Sequence, residues 1–148
     1  MLITFFVAMT PVLELRGAIP VGVAMGLSHL DALLVSIVGN MVPVPFIILF
    51  IRAIFRWLSE KSEAIKSLVS RIETHAEGKW EKVNRFKLIG LIILVAIPLP
   101  GTGAWTGALV AAVMDLRLKK AIPAILIGVI IAGILVSGIT FGFTELLN

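Results

Sequence analysis

The sequence contains no cysteine in 148 residues, which excludes disulfides and thiol chemistry. Charge is scarce as well: Asp, Glu, Lys and Arg supply 15% of the chain against 59% hydrophobic residues, far from the quarter-charged composition of soluble domains. Residues 32–51 and 121–144 hold no charged side chain at all. At about 1.5 Å rise per residue, either stretch can cross a hydrocarbon core of about 30 Å, so the chain is expected to be an integral membrane protein. The N-terminus is apolar from Leu2 onward and has no cationic n-region, so no cleaved leader is expected. The net charge of +4 comes from basic residues crowded beside the membrane segments, which points to lipid headgroups and not to nucleic acid.

Two further apolar stretches, 2–27 and 88–114, are long enough to span but are interrupted near their middles. The first is broken by Thr10-Pro11 and then Glu14-Leu-Arg-Gly17-Ala-Ile-Pro20; the second by Pro98-Leu-Pro100-Gly101-Thr102-Gly103. The breaks align at an offset of about 87 residues. Paired Pro/Gly-interrupted segments in two halves of one chain are the sequence pointer to a transporter's binding site.

The positive charges bear on how these segments run. Nine Lys/Arg lie between Arg52 and Lys87, and three more in Asp115-Leu-Arg-Leu-Lys-Lys120. Four full spans would put these clusters on opposite sides, against the positive-inside rule; a re-entrant 88–114 puts both in the cytoplasm. The predicted fold is therefore all-α: an inverted repeat of re-entrant hairpin plus transmembrane helix in one membrane domain, 1–148. Repeat 1 is 1–52, with a hairpin over 2–27 and a span over 32–51. Repeat 2 is 88–148, with a hairpin over 88–114 and a span over 121–144. Both termini lie outside, while 53–87 and 115–120 are cytoplasmic. Leu58, Ile65, Leu68, Ile72, Ala76, Trp80 and Val83 recur at near-helical spacing, so the linker 53–87 reads as a surface amphipathic helix, with Trp57 and Trp80 at headgroup level. Gly22-x-x-x-Gly26, Gly103-x-x-x-Gly107 and Gly138-x-x-x-Gly142 offer flat faces for close packing.

Glu14 and Arg16 are the only charges expected inside the membrane, where a central Arg or Asp costs on the order of 3 kcal/mol. Two readings stand open. In one the pair forms an internal salt bridge that pins the hairpin tip, through the extended backbone that Pro11, Gly17 and Pro20 favour. In the other Arg16 clamps an anion and Glu14 exchanges a proton. The second break supplies free amides and hydroxyls for the same anion at Gly101, Thr102, Gly103 and Thr106, with Trp105 as an apolar wall and Pro98, Pro100 and Gly107 shaping the turn. It lacks the Lys-Ser/Thr ending of a nucleotide-binding loop. Asn40, with Pro43 and Pro45, breaks the first span and bonds freed carbonyls or reaches the site. His29 and His75 are isolated and fall on opposite faces, so no metal site is expected. No nucleophile, base and orienting group can be assembled. The chain is accordingly not expected to be an enzyme or to need a cofactor.

The strings Pro11-Val-Leu-Glu-Leu-Arg-Gly-Ala-Ile-Pro20 and Pro98-Leu-Pro-Gly-Thr-Gly-Ala-Trp-Thr-Gly107 resemble the small multidrug export protein family. That family looks like a compact relative of the DedA (VTT, SNARE-associated) superfamily, and the resemblance implies paired re-entrant hairpins, an acidic residue on the first, and lipid translocation, often dependent on proton motive force. Glu14 matches the first-hairpin acid; the arginine that DedA proteins carry on the second hairpin is replaced here by Gly101, Thr102 and Gly103. The expectation is a secondary transporter or flippase for an anionic amphiphile such as a polyprenyl or phospholipid phosphate. The alternatives are a proton-coupled exporter of small cationic drugs and a non-transporting membrane scaffold. Two spans and two hairpins make a thin wall around a site, so a homodimer or higher homo-oligomer is expected.

Overall fold

The computed structural model describes residues 1–61, 63, 67, 80–99 and 102–147. All its regular elements are helices: α1 (Leu2–Met9), α2 (Glu14–Ala24), α3 (His29–Met41), α4 (Pro43–Lys61), α5 (Trp80–Ala96), α6 (Ala104–Val113) and α7 (Leu118–Leu147). Most of the linker residues expected to form an amphipathic helix, Ile65, Leu68, Ile72 and Ala76 among them, lie outside the described residues, as does His75. The described start of that linker, through Lys61, simply continues α4.

The interrupted stretches break where Pro and Gly demand it. In the first, Thr10 adopts extended backbone and closes α1, its Oγ1 donating to the Val7 carbonyl at 2.7 Å. Chain direction then reverses. A Cβ on Gly22, near the end of α2, would lie 3.0 Å from Thr4 Cγ2, near the start of α1, and 3.0 Å from Ala32 Cβ on α3. A kinked but continuous helix would hold residues 4 and 22 more than 20 Å apart at about 1.5 Å per residue, so α1 and α2 form an antiparallel hairpin. Helix α3 then runs parallel to α1: Gly22 brings Thr4 to the level of Ala32, while Gly39 abuts the Phe5 carbonyl and Ala8. The second stretch folds back likewise, with Gly107 of α6 against Val95 and Leu91 of α5.

The second arms end in the same local structure. At the end of α2, Leu27 N donates to Gly22 O and Gly26 N to Val23 O, with Gly26 at φ 86; at the end of α6, Leu116 N donates to Ala111 O and Asp115 N to Ala112 O, with Asp115 at φ 50. Both are Schellman caps with the left-handed residue at the same step.

The span starting at Ser28 is longer than 32–51 and is divided only at Val42, which stays helical (φ −56, ψ −48) before Pro43 opens α4. Ser28 caps α3, its Oγ accepting from Asp31 N at 3.1 Å. Over His29–Lys61 and Leu118–Phe143 the helices are long and apolar enough to cross a membrane. Helix α7 packs on α5, α3, α2 and α6, and α4 packs on α6. A core of Leu15, Ile19, Val44, Ile48, Leu91, Val95, Ala108, Ile125 and Val129 joins both halves.

The ends of the molecule are defined by contacts. His29 stacks edge-on with Phe141, ring centroids 5.3 Å apart, which puts the α2–α3 turn beside the end of α7. At the opposite end Arg52 Nε lies 3.8 Å from Asp115 Oδ1, and its Nη2 donates to the Leu116 carbonyl. The start of the basic linker and the 115–120 loop therefore share one end. Of the glycine faces, Gly22, Gly103 and Gly107 are packed within the chain, while Gly26, Gly138 and Gly142 meet nothing within 4 Å.

Candidate functional site

Where the two hairpin tips meet, each tip completes the other. Helix α5 ends at Ala96 and leaves carbonyls without helical partners. Arg16, three residues into α2, reaches across and donates to the carbonyls of Leu99 and Thr102, to Ile97 O at 3.4 Å and to Thr102 Oγ1 at 2.8 Å. Thr102 organises those acceptors: its hydroxyl lies 2.7 Å from Ile97 O and 2.8 Å from Leu99 O, and accepts from Leu99 N at 3.2 Å. The guanidinium thus sits at the negative end of α5, the favourable place for a cation.

Glu14 answers at the next helix. Helix α6 starts at Ala104 after Gly103, which has φ 140 and offers no capping side chain. Glu14 supplies the cap from the other half of the chain: its Oε1 accepts from Trp105 N at 3.2 Å. A carboxylate at a helix N-terminus meets both orphan amides and the positive end of the dipole. Gly103 is the only residue type that fits there, because a Cβ would stand 1.8 Å from Glu14 Oε2. Glu14 is 4% exposed and itself adopts φ 47, a left-handed conformation costly for a non-glycine residue. Trp105 adds a second tie, its indole Nε1 donating to Met9 O at 3.1 Å.

Glu14 and Arg16 therefore bind helix ends of the opposing hairpin, and no ion pair between them occurs among the described residues. Two residues apart on a helix, they point in different directions. Pro20, lacking an N–H, also leaves the Arg16 carbonyl without its helical donor.

The remaining expected residues are placed as follows. Thr102, Gly103 and Trp105 join Glu14 and Arg16; Thr106 is half-buried in the first turn of α6, and Gly107 is buried against Val95. Pro11 is exposed on the first tip, Gly17 packs on Leu13, and Pro98 is half-buried in the second turn. Pro100 and Gly101 lie outside the described residues. Asn40 is fully buried in α3 and does not bond the freed carbonyls: among the described residues neither its Oδ1 nor its Nδ2 has a hydrogen-bond partner. Sequence reasoning missed Thr4 and Ser36, also fully buried and with hydroxyls unpartnered among the described residues, and the backbone carbonyls of Ile97, Leu99 and Met9. The spacing of Ser36 and Asn40, one helical turn apart inside an uncharged span, was the available signal.

Residues 14–135, from the first tip charge to beyond the middle of α7, match a family model described as "Putative small multi-drug export protein". The chain belongs to this family. The match contains Glu14, Arg16 and the whole second tip, so the crossed contacts of Glu14 and Arg16 lie within the small multi-drug export unit. No curated protein and no solved structure matches the chain. The family name and the two apolar helices together make this a membrane protein of export type.

Proposed function

We propose that this small multi-drug export protein is a secondary transporter in which an anionic amphiphile exchanges with the Glu14 carboxylate at the N-terminus of α6. The observation that carries this reading is that the α6 amides already hold a carboxylate, 3.2 Å from Trp105 N, with the Arg16 guanidinium bound to the same loop. On taking a proton Glu14 loses its charge and its hold on these amides. A phosphate or similar headgroup then occupies the vacated amides with Arg16, Thr102, Gly103, Trp105 and Thr106 around it, and release of the proton returns Glu14 and expels the substrate. An apolar groove of about 430 Å³ between Pro20, Val23 and Ala24 of α2 and Ile139, Thr140 and Phe143 of α7 begins one turn along α2 from Arg16, where a hydrocarbon chain would lie.

The proposed topology is two re-entrant hairpins and two spans in inverted orientation, with both termini outside. The Arg52–Asp115 contact supports placing 53–87 and 115–120 on one side, and the paired Schellman caps support the repeat. The likeness of Glu14 to the DedA first-hairpin acid agrees with it. A homodimer or higher homo-oligomer is proposed to complete the wall.

The family name favours a second reading, export of small cationic drugs with Glu14 as counter-ion. Proteoliposomes under an imposed pH gradient separate the two: uptake of dodecyl phosphate supports the first, uptake of dodecyltrimethylammonium the second. Glu14→Gln combined with Arg16→Gln is expected to remain folded and inactive. If the two side chains serve only to hold the tips by hydrogen bonds, which glutamine can also make at both places, this neutral pair keeps transport, and the exchange reading falls.

A further inference from the structure

Buried polar groups almost always find a partner, so a set of them without one requires an explanation. Among the described residues, three such side chains, Thr4, Ser36 and Asn40, lie along the faces by which α1 and α3 meet, and His29 adds a fourth at the end of α3, beside Phe141 of α7. His29 Nε2 lies at the end of the molecule; Thr4 Oγ1 comes next, level with Ala32; then Ser36 Oγ; then Asn40, with both Oδ1 and Nδ2 unpartnered. His29, Ala32, Ser36 and Asn40 form a single stripe on α3, and Thr4, Ser36 and Asn40 are 0% exposed. Small residues, Ala8, Gly22, Ala32 and Gly39, make up the rest of the lining. The seam ends at the hairpin tips. Gly39 abuts Ala8, the neighbouring Met9 is tied to Trp105, and Trp105 holds Glu14, whose Oε2 is the next buried atom without a partner.

The chemistry of these atoms selects the ligand. A monovalent cation would take the hydroxyls and the Asn40 Oδ1 but would leave the Asn40 Nδ2 hydrogens without an acceptor. Water donates and accepts, and so satisfies hydroxyls, the amide and a carboxylate oxygen alike. Ser36 and Asn40 are about 6 Å apart along the axis, the span of one water hydrogen-bonded to both.

We propose that a file of internal waters runs along the α1–α3 seam from Thr4, at the end of the molecule that carries His29, through Ser36 and Asn40 to Glu14, and is the route by which protons reach that carboxylate. The proton role rests on the exchange reading above; the water file does not. The titratable groups at the ends of the route are His29 and Glu14, with Asp31 in the first turn of α3 and Arg16 beside Glu14. Of the elements packed on α3, α1 holds no charged side chain and is preceded by the Met1 amine, α4 carries Arg52, Arg56, Glu60 and Lys61 beyond the tips, and α7 carries Lys119 and Lys120 at the far end and Glu145 at the near end.

The natural absence of cysteine allows a direct test. Thr4→Cys, Ser36→Cys and Asn40→Cys are compared with Leu34→Cys and Val38→Cys, whose side chains on the same helix are 53% and 57% exposed on the outer surface of the bundle. Proteoliposomes are treated with silver ion, a small thiol-reactive cation, on the side that carries the N-terminus. Thiols left unreacted are then counted with a maleimide after denaturation. The expected result is at least tenfold faster reaction at 4, 36 and 40 than at 34 and 38, and loss of that difference when silver is added only from the other side. Ser36→Cys is nearly isosteric, so it reports even if Asn40→Cys misfolds. Protection at 36 equal to that at 34 and 38 overturns the proposal, whether or not the protein transports. Fast labelling in a protein that moves neither dodecyl probe keeps the water file and removes the exchange reading instead.

Discussion

Replacing Gly103 by alanine tests whether Glu14 truly caps α6 from across the molecule. The new Cβ would stand 1.8 Å from Glu14 Oε2 and 2.7 Å from its Cδ, so the carboxylate must leave. Two costs follow. The backbone at φ 140, ψ −163 belongs almost solely to glycine and charges any other residue about 1–3 kcal/mol. Loss of a charged hydrogen bond at a helix N-terminus adds about 2 kcal/mol. Gly103→Ala alone is therefore expected to destabilise by about 3–5 kcal/mol. In a Glu14→Ala background the steric conflict is gone and only the backbone cost remains, so the two substitutions couple by about 2 kcal/mol. The assay is a double-mutant cycle of unfolding in mild detergent, followed by tryptophan fluorescence, since Trp105 sits at the contact. An identical cost of Gly103→Ala with and without Glu14 refutes the crossed cap.

Further outcomes follow from the two ends of the molecule. Thiols introduced as Ala53→Cys and Leu118→Cys are expected to label only from the cytoplasmic side and Ser28→Cys only from outside; labelling of position 118 from outside restores four full spans. Asp115→Gly is expected to leave stability unchanged or raise it by up to about 1 kcal/mol in thermal unfolding, because glycine relieves the left-handed φ of 50. The ion pair it removes, to an aspartate 88% exposed, is worth little. A large loss on Asp115→Gly makes Arg52–Asp115 a true lock.

Proline and glycine made the helix breaks legible: Thr10-Pro11 and Pro98 fall where α1 and α5 end, and Gly103 where α6 begins. The two long apolar helices were legible from the uncharged runs, although α4 continues to Lys61 because nothing in the basic stretch after Arg52 stops a helix. The partners of Glu14 and Arg16 were not legible. Both bind backbone groups, Trp105 N on one side and the carbonyls of Ile97, Leu99 and Thr102 on the other, and backbone groups leave no trace in residue identity. Trp105, expected as an apolar wall, acts through its N–H as well, a role fixed only by where Met9 lands.

The crossed contacts also constrain how the chain is made. Synthesis delivers Glu14 and Arg16 first, and the helix ends that neutralise them, Ile97 to Trp105, emerge more than 80 residues later. In the proposed re-entrant topology, the first hairpin until then carries two uncompensated charges and has no stable place at the bilayer centre. It must wait at the membrane surface or within the insertion machinery, and the second hairpin draws it in. On that topology, insertion of this protein is completed by its C-terminal half, and a nascent chain halted before residue 97 is expected to leave its N-terminal hairpin outside the hydrocarbon core.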